Sequence, residues 1–166
     1  MNNTEILVMN FYQSLDILNS EGLTIKNVAE NMNLCVIYWP FTSEITEYKG
    51  VYKVFINENL NKQRQWQDFG HEMSHYFRDR GNQNMLRESF VDYCETKADY
   101  FAYHFCVPTF MLMKMKRVDA YEVMNLFNVE FDFALRRLEM YKNKLIDRRM
   151  FQWKKDTIDL IKTRQS

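Results

Sequence analysis

An apolar stripe in the middle of the chain constrains its fold more than any other feature of the sequence. Trp66, Phe69, Met73 and Phe77 recur every three or four residues, which is the spacing of one face of an α-helix. A helix with such a stripe buries it against other elements of the chain. The stripe therefore predicts an amphipathic helix that begins near residue 60 and runs through the stretch FGHEMSHYF.

Earlier in the chain the same period predicts two more helices. Apolar residues between positions 6 and 18 are spaced by three or four, and we expect this first helix to end near Gly22. The stretch TIKNVAENMN predicts a second, shorter helix, in which the hydroxyl of Thr24 caps the N-terminus. Both helices come before a change of pattern.

Two stretches then show a composition typical of β-strands. LCVIYWPF at 34–41 and GVYKVFIN at 50–57 are rich in β-branched and aromatic residues, and Pro40 and Gly50 bound them. We expect these two strands to pair in a small sheet. The helical period returns after the second strand.

After the central motif the pattern stays helical. We expect a long helix over residues 88–107, which the following proline ends, and two more over 119–127 and 131–146 with a turn near Asn128. The final charged segment, RRMFQWKKDTIDLIKTRQS, is typical of a terminal helix with a frayed end. The pattern as a whole predicts an α+β protein that is mainly helical.

Composition and charge narrow the class of protein. Hydrophobic residues make up 46% of the 166, and only 4 glycines and 2 prolines are present, which indicates an ordered globular chain. Basic and acidic residues balance at 22 each, but 9 basic and 14 acidic residues precede residue 110, against 13 and 8 from there on. A positive excess of this size over a helical region is more typical of a solvated surface than of a nucleic-acid site.

Cysteines and apolar runs bear on the cellular location. Three cysteines, Cys35, Cys94 and Cys106, cannot all pair within the chain and lack the CxxC spacing of a structural zinc site. We therefore expect reduced thiols and a cytoplasmic protein. The first residues contain no basic n-region, and no run of 18 apolar residues occurs, so neither export nor a membrane span is expected.

The stretch FGHEMSHYF places two histidines four positions apart. On an α-helix such residues are offset by about 40°, so the imidazoles of His71 and His75 project from one face and can share a metal ion. Glu72 lies about 100° round the helix from His71, which is poor for a third ligand but good for a base beside a metal-bound water. Two ordinary histidines and a solvated glutamate would show the same pattern, so the decision depends on a third ligand.

The next predicted helix offers that third ligand. A catalytic zinc takes three protein ligands and leaves its fourth position to water. Glu95 lies 20 residues after the second histidine. Asp99 follows one helical turn later on the same face of the helix, and two alanines flank this face. We predict one Zn²⁺ ion held by His71, His75 and Glu95. Asp99 would accept a hydrogen bond from the free ring nitrogen of a ligating histidine.

Two motifs at this spacing carry a family resemblance. The first is GHEMSHY at 70–76, and the second is ETKADYFA at 95–102, which a Val-Pro pair closes five residues later. Together they resemble the ImmA/IrrE family of metallopeptidases, whose pattern is roughly HExGH followed by ExxANxFAxxLLxP. Ser74 replaces the family's usual Gly and Asp99 its usual Asn, but no proposed ligand is lost.

The resemblance implies an architecture and an activity. It implies a zincin-like metallopeptidase domain with a small β-sheet over residues 1–112, and a helix-turn-helix-like helical region over 113–166 packed on it. It also implies a zinc-dependent endopeptidase in which Glu72 is the catalytic base. Members of the family neighbour helix-turn-helix repressors and several inactivate them, so the implied substrate is an XRE-type repressor of a phage or mobile element.

A later segment extends the resemblance. LFNVEFDFALRRLEM is similar to the family's helix-turn-helix-like segment at Phe127, Val129, Arg137 and Leu138, although Glu130 replaces its usual Ser. Without that hydroxyl the usual cap of the turn is missing. We interpret the segment as structural or partner-binding, and direct DNA binding as unlikely.

Three residues near the motifs suggest roles that the pattern does not favour. Tyr76 could donate a hydrogen bond to an oxyanion and stabilise the transition state, but an aromatic ring there can equally pack beneath the sheet, which we favour. His104 is nine residues past Glu95, half a turn out of phase, so it should point away from the metal and pack in the interior. Cys94 is rotated about 100° off the ligand face and is expected to be a buried thiol.

The sequence leaves two other functions open. A complete metal site is also compatible with a non-proteolytic binding module that keeps zinc for stability or sensing and inhibits a repressor by contact. The basic C-terminal half leaves a third and less favoured interpretation, a DNA-binding regulator. Cleavage of a repressor to a defined fragment would separate the first interpretation from the other two.

Overall fold

The structure, a computed structural model, describes the backbone of residues 2–79 and 88–164 and the side chains of residues 2–77 and 92–147. The predicted α+β, mainly helical architecture is confirmed. In chain order the elements are α1 (Asn3–Ser14), α2 (Ile25–Met32), β1 (Cys35–Trp39), β2 (Glu44–Tyr48), β3 (Val51–Asn57), α3 (Lys62–Asp79), α4 (Glu88–Cys106), α5 (Thr109–Leu112), α6 (Ala120–Phe127) and α7 (Phe131–Arg164).

The first helix ends earlier than its apolar pattern predicts. α1 begins with a capping box, in which the Asn2 side chain accepts from the Glu5 backbone N–H at 2.9 Å and the Glu5 carboxylate accepts from the Asn2 N–H at 2.7 Å. The helix ends at Ser14, and Asp16 then adopts a left-handed conformation with φ of 57°. The expected end near Gly22 is therefore wrong, because Asp16 turns the chain out of the helix.

Other helix ends agree with the sequence. The Thr24 hydroxyl accepts a hydrogen bond from the Asn27 backbone N–H at 3.1 Å, so the predicted cap of α2 is confirmed. The Asp119 side chain caps α6 in the same way. Asn128 ends α6 in the left-handed region with φ of 51°, which is the turn expected there.

The sheet has three strands in the order β1-β3-β2. The two predicted strands, β1 and β3, pair in parallel. β2 pairs with β3 antiparallel through a tight turn at Lys49 and Gly50, whose φ values are 52° and 79°. The sequence prediction missed β2, because two of its five residues are glutamates, which strands disfavour.

The two helices that follow the sheet pack closely at Gly70 of α3. A Cβ atom on this residue would lie 2.7 Å from the Sγ of Cys106 and 3.2 Å from the ring of Phe105, both on α4, so the contact requires glycine. The first three residues of the predicted apolar stripe are at most 2% exposed and lie in the core. This contact sets the distance between the helices that carry the candidate site.

The C-terminal part of the chain is a short helix followed by a long one. α7 is continuous from Phe131 to Arg164, so the helix predicted for the last segment is present, but it continues the preceding helix without a break. No proline or glycine interrupts this stretch, and the helix therefore continues.

The C-terminal helices share a hydrophobic cluster with the rest of the molecule. Val123, Phe127 and Leu138 belong to the same buried cluster as Trp66 of α3. The division into 1–112 and 113–166 stays a prediction. Within the described ranges, no helix combines the length and apolar character that crossing a bilayer requires.

Candidate metal centre

α3 places the two motif histidines side by side. His71 and His75 are one helical turn apart, and their ring centroids are separated by 5.1 Å. Their side chains keep 22% and 15% of their surface exposed, so solvent reaches both rings. The potential ligand atoms of these two residues and of Glu72 all lie within 4.8 Å of one another. This group could therefore hold a metal ion.

α4 brings a second carboxylate to the same point. Oε2 of Glu95 lies 3.1 Å from Nε2 of His71, and Oε1 lies 3.8 Å from Nε2 of His75. Two atoms that each bind one tetrahedral zinc ion at about 2.0–2.1 Å lie about 3.3 Å apart. The spacing of the three side chains therefore fits a shared ion.

Two carboxylates are candidates for the third ligand position. Glu72 lies within 4.8 Å of both imidazoles, but a backbone hydrogen bond from Ile45 of β2 also holds its carboxylate. One oxygen of Glu95 lies 3.1 Å from Nε2 of His71, and its other oxygen lies 3.8 Å from Nε2 of His75. Both carboxylates therefore lie within reach of an ion between the two imidazoles.

Asp99 contacts the opposite side of one imidazole. Its Oδ1 atom lies 2.8 Å from Nδ1 of His71. A carboxylate accepts a hydrogen bond, so this contact favours the tautomer with the proton on Nδ1. Nε2, the nitrogen that faces Glu95, then keeps the lone pair that a metal ion needs.

The carboxyl of Glu72 lies in an environment that disfavours its charge. It is 8% exposed, and burial raises its pKa from 4.5 to about 7. The His71 ring and the hydrogen bond from Ile45 partly offset this rise, Asp68 and Glu95 add to it, and the pKa of about 7 is the net result. A carboxyl with a pKa near neutrality can both accept and donate a proton.

Comparison with known proteins assigns this geometry to a family. The sequence model of the Peptidase_M78 family, described as the IrrE N-terminal-like domain, matches residues 29–139, which include α3 and α4. The chain belongs to this family. The resemblance to ImmA/IrrE metallopeptidases is thereby confirmed, and with it a peptidase-type domain.

Two relatives of this family member come from Bacillus subtilis (strain 168). The uncharacterized protein YqaB is 31% identical over 143 residues, which cover 83% of each chain. The phage-like element PBSX protein XkdA is 32% identical over 149 residues, which cover 87% of this chain and 75% of its own. Both alignments extend across most of this Peptidase_M78 chain.

A small polar cavity opens next to His71 in this Peptidase_M78 site. Its volume is about 160 Å³, and α3, α4 and α7 line it. On α3, the Nε of Arg64 donates to Asp68 at 3.1 Å, and the other oxygen of that carboxylate accepts from the Ser43 hydroxyl at 2.8 Å. Sequence reasoning missed this chain of contacts, for which the spacing of Arg64 and Asp68 by four residues was the available signal.

The start of α7 is tied to the helix that carries the histidines. Gln67, 4% exposed, accepts from the Glu130 backbone N–H at 2.7 Å and donates to the Glu130 carboxylate at 3.2 Å. Gln63 donates to the Val129 carbonyl at 3.0 Å. Glu130, which replaces a small cap residue of the family, therefore holds the α6–α7 turn against α3.

The remaining motif neighbours lie where the sequence placed them. Tyr76 is 6% exposed and packs edge-on against Tyr52 of β3 at 4.8 Å, beneath the sheet. Cys94 is also 6% exposed, so the prediction of a buried thiol is confirmed. His104 is 3% exposed, and burial, together with the nearby charge of Arg137, lowers its pKa from 6.5 to about 3. A neutral histidine in the interior matches the packing role expected of it.

Proposed function

We propose that this protein is a zinc-dependent endopeptidase. The observation that carries the proposal is the approach of Glu95 to the Nε2 atoms of both His71 and His75, from a helix that is separate in sequence. Two imidazoles and one carboxylate are a known ligand set of catalytic zinc, and they leave one coordination position open. Supporting this, the chain belongs to a peptidase family.

Each ligand has a role that its surroundings support. His71, His75 and Glu95 would hold the ion, and zinc when bound acidifies water and polarises the scissile carbonyl. Asp99, 2.8 Å from Nδ1 of His71, would orient this ring and favour the proton on Nδ1. Asp99 therefore acts through His71 and not on the substrate.

Glu72 is the proposed general base and acid. Its carboxylate accepts a proton from the attacking water and delivers that proton to the leaving nitrogen, which becomes an amine. The backbone hydrogen bond from Ile45 fixes the carboxylate next to the ligand set. Burial favours the protonated form of Glu72, which the second of these transfers requires.

The position of β2 supports a peptide substrate. β2 lies at an edge of the sheet, and within the described ranges β3 is its one strand neighbour. An extended peptide can add to such an edge through backbone hydrogen bonds. Because Ile45 of β2 contacts Glu72, a peptide added there would lie beside the base.

The proposed substrate is a helix-turn-helix repressor of the XRE type from a phage or mobile element. One relative is named as a protein of a phage-like element, which supports this context. We place the reaction in the cytoplasm, because the three cysteines are free thiols. Direct DNA binding by this chain is not part of the proposal.

The decisive experiment combines metal analysis with a cleavage assay. Wild-type protein and Glu72→Gln are purified, their zinc content is measured by mass spectrometry, and each is incubated with XRE-type helix-turn-helix repressors of phages or mobile elements. We expect both to contain one zinc ion and only the wild type to yield a defined fragment, with a rate loss in the variant of about 10²–10⁴-fold. Glu58→Gln, an exposed glutamate, is the matched control and should cleave normally.

The outcomes separate the competing functions. A chelator should abolish cleavage by the wild type, and undiminished cleavage by Glu72→Gln would contradict the proposed base. If the repressor stays intact but releases its operator DNA, the alternative of a zinc-containing binding module that inhibits by contact is favoured. A shift of operator DNA by this protein alone would favour a DNA-binding regulator.

A further inference from the structure

Three adjoining concavities meet at Leu126, close to the end of α6. Their volumes are about 390, 560 and 230 Å³. Leu126 lines all three, and Met115 and Phe127 each line two of them. With 46% of its surface exposed, Leu126 is an apolar centre open to solvent. We call this region, formed by the three concavities together, the Leu126 surface.

Basic side chains surround this apolar centre. The charged residues that line the three concavities are Lys26, Lys62, Lys114, Lys116, Arg117 and Glu122. Five basic residues and one acidic residue thus line the three concavities, although basic and acidic residues are equally frequent in the whole chain. The Leu126 surface is therefore a local concentration of positive charge.

Most of these cations are not neutralised by carboxylates. Lys62 donates to the Gln65 side chain at 3.1 Å, and Lys114 donates to a backbone carbonyl at 3.4 Å. Among the described residues, neither they nor Lys116 form an ion pair, whereas Arg117 pairs with Asp119 at 2.8 Å. Lys26 forms an exposed contact with Glu30 at 3.9 Å, which holds it weakly. The lysines without a carboxylate partner among the described residues can therefore pair with acidic groups of a ligand.

We propose that the Leu126 surface binds an acidic amphipathic helix of a partner protein. An amphipathic helix presents apolar side chains three and four positions apart, and these can fill neighbouring concavities around one exposed leucine. Its acidic residues would face the lysines at the rim, where charge complementarity steers and orients the partner. The flexible side chain of Met115 can adapt to the apolar anchors.

The apolar centre distinguishes this partner from nucleic acid. A duplex binds mainly through its phosphates, which gain nothing from contact with Leu126 or Met115. A helix with both apolar and acidic residues uses both properties of the surface. The proposal does not depend on peptidase activity, since none of the residues named here belongs to the candidate metal centre.

The probe for this surface is a fluorescein-labelled designed peptide of about four helical turns, with leucines at helical spacing on one face and glutamates elsewhere. Anisotropy is compared with that of three other ligands. These are a scrambled peptide of the same composition, a peptide with lysine in place of glutamate, and a labelled DNA duplex. We expect the acidic amphipathic peptide to bind at least about tenfold more tightly than each of the others. Its affinity should fall with added salt.

Matched variants locate the binding. Leu126→Ser and Lys116→Glu should each weaken binding of the acidic peptide by about tenfold. Leu135→Ser, which changes a 43% exposed leucine of α7, and Lys142→Glu, which changes an exposed lysine, should leave binding unchanged. Thermal unfolding by circular dichroism checks that all four variants are folded.

Several results would overturn the proposal. No saturable binding of the acidic amphipathic peptide, or equal binding of its scrambled form, would contradict an amphipathic partner. Tighter binding of DNA or of the basic peptide would show that the surface serves another ligand. Equal losses in the Leu135 and Lys142 variants would place the binding elsewhere on the molecule.

Discussion

Two clusters of polar side chains differ in how their charged groups are paired. One, which we call the metal face, consists of His71, Glu72, His75, Glu95 and Asp99. The other, the buried cluster, consists of Glu5, Thr109, Arg137 and Lys144. In the metal face, the side chains of Glu95 and Asp99 are 50% and 69% exposed. In the buried cluster, Glu5 and Arg137 are 2% and 1% exposed.

Donors and acceptors alternate in the buried cluster. Glu5 accepts hydrogen bonds from Thr109 at 2.7 Å and from Lys144. Arg137 donates to two backbone carbonyls near the end of α4 at 3.1 Å each, and to the Thr109 hydroxyl at 2.7 Å. Each buried charge therefore has a partner of opposite character, which is the condition for burying it at all.

The metal face instead brings acceptors together. When Asp99 holds the proton of His71 on Nδ1, Nε2 of this ring offers a lone pair, and it lies 3.1 Å from the carboxylate of Glu95. Lone pairs that converge on one point repel each other unless a cation lies between them. One cluster thus pairs its charges within the protein, whereas the other gathers groups that could hold the metal ion of the proposed function.

The sharpest test of this contrast is Arg137→Met in the buried cluster. Removing one partner of a buried charge network costs about 3–5 kcal/mol, so the free energy of unfolding should fall by that amount. Zinc affinity should stay the same, because Arg137 makes no contact with the metal face among the described residues. Urea unfolding and competition with a chelator measure the two quantities. Arg136→Met, the exposed neighbour, is the control and should cost little.

The pH dependence of stability gives a second and somewhat smaller effect. Burial raises the pKa of Glu5, but hydrogen bonds from Lys144, Thr109 and the Asn2 backbone outweigh it and hold the pKa at about 2. A carboxyl whose pKa is lower in the folded state than its usual 4.5 stabilises the fold above pH 4.5. That contribution, about 3 kcal/mol, is lost as the pH falls from 4.5 to 2.

Urea unfolding of wild type and Glu5→Gln at several pH values measures this contribution. The wild type should be more stable near pH 7, and the difference between the two should shrink steadily below pH 4.5. Glu21→Gln, which changes an exposed glutamate in the short 3₁₀ helix Ser20–Gly22, should follow the wild type throughout. A difference between wild type and Glu5→Gln that does not change with pH would show that Glu5 is not the titrating group.

The smallest expected effect belongs to Asp99 in the metal face. Asp99→Ala removes the hydrogen bond that orients His71, and such losses weaken metal binding by about 10–100-fold. Stability without metal should barely change, because the side chain is mostly exposed. Asp99→Asn keeps an acceptor and should rescue most of the affinity. Asp92→Ala, which changes another exposed carboxylate of α4, is the control. An equal loss of metal affinity in this variant would contradict a specific role of Asp99.

Much of the fold could be predicted from local patterns. The apolar stripe at residues 66–77, the cap at Thr24 and the left-handed turn at Asn128 depend on neighbours within a few positions. Prediction from the sequence failed where contacts between residues far apart in the chain determine the structure. β2 is held by pairing with β3, and the two glutamates among its five residues interrupt the apolar pattern that marked the other two strands.

The same division applies to the two clusters. Glu95 and Asp99 were predicted from helical phase together with a family resemblance, and the structure brings both to the histidines. The buried cluster was not predicted. Glu5 and Lys144 are 139 positions apart, and no local period connects them.

The sequence by itself determined that two histidines share one face of a helix, because four residues make about one turn whatever surrounds them. Only the tertiary structure decided that Glu95 reaches them. That contact needs α4 to approach α3 closely, and the absence of a side chain at Gly70 permits the approach. Spacing along one helix is set by covalent geometry, whereas spacing between two helices is set by the packing of every side chain between them.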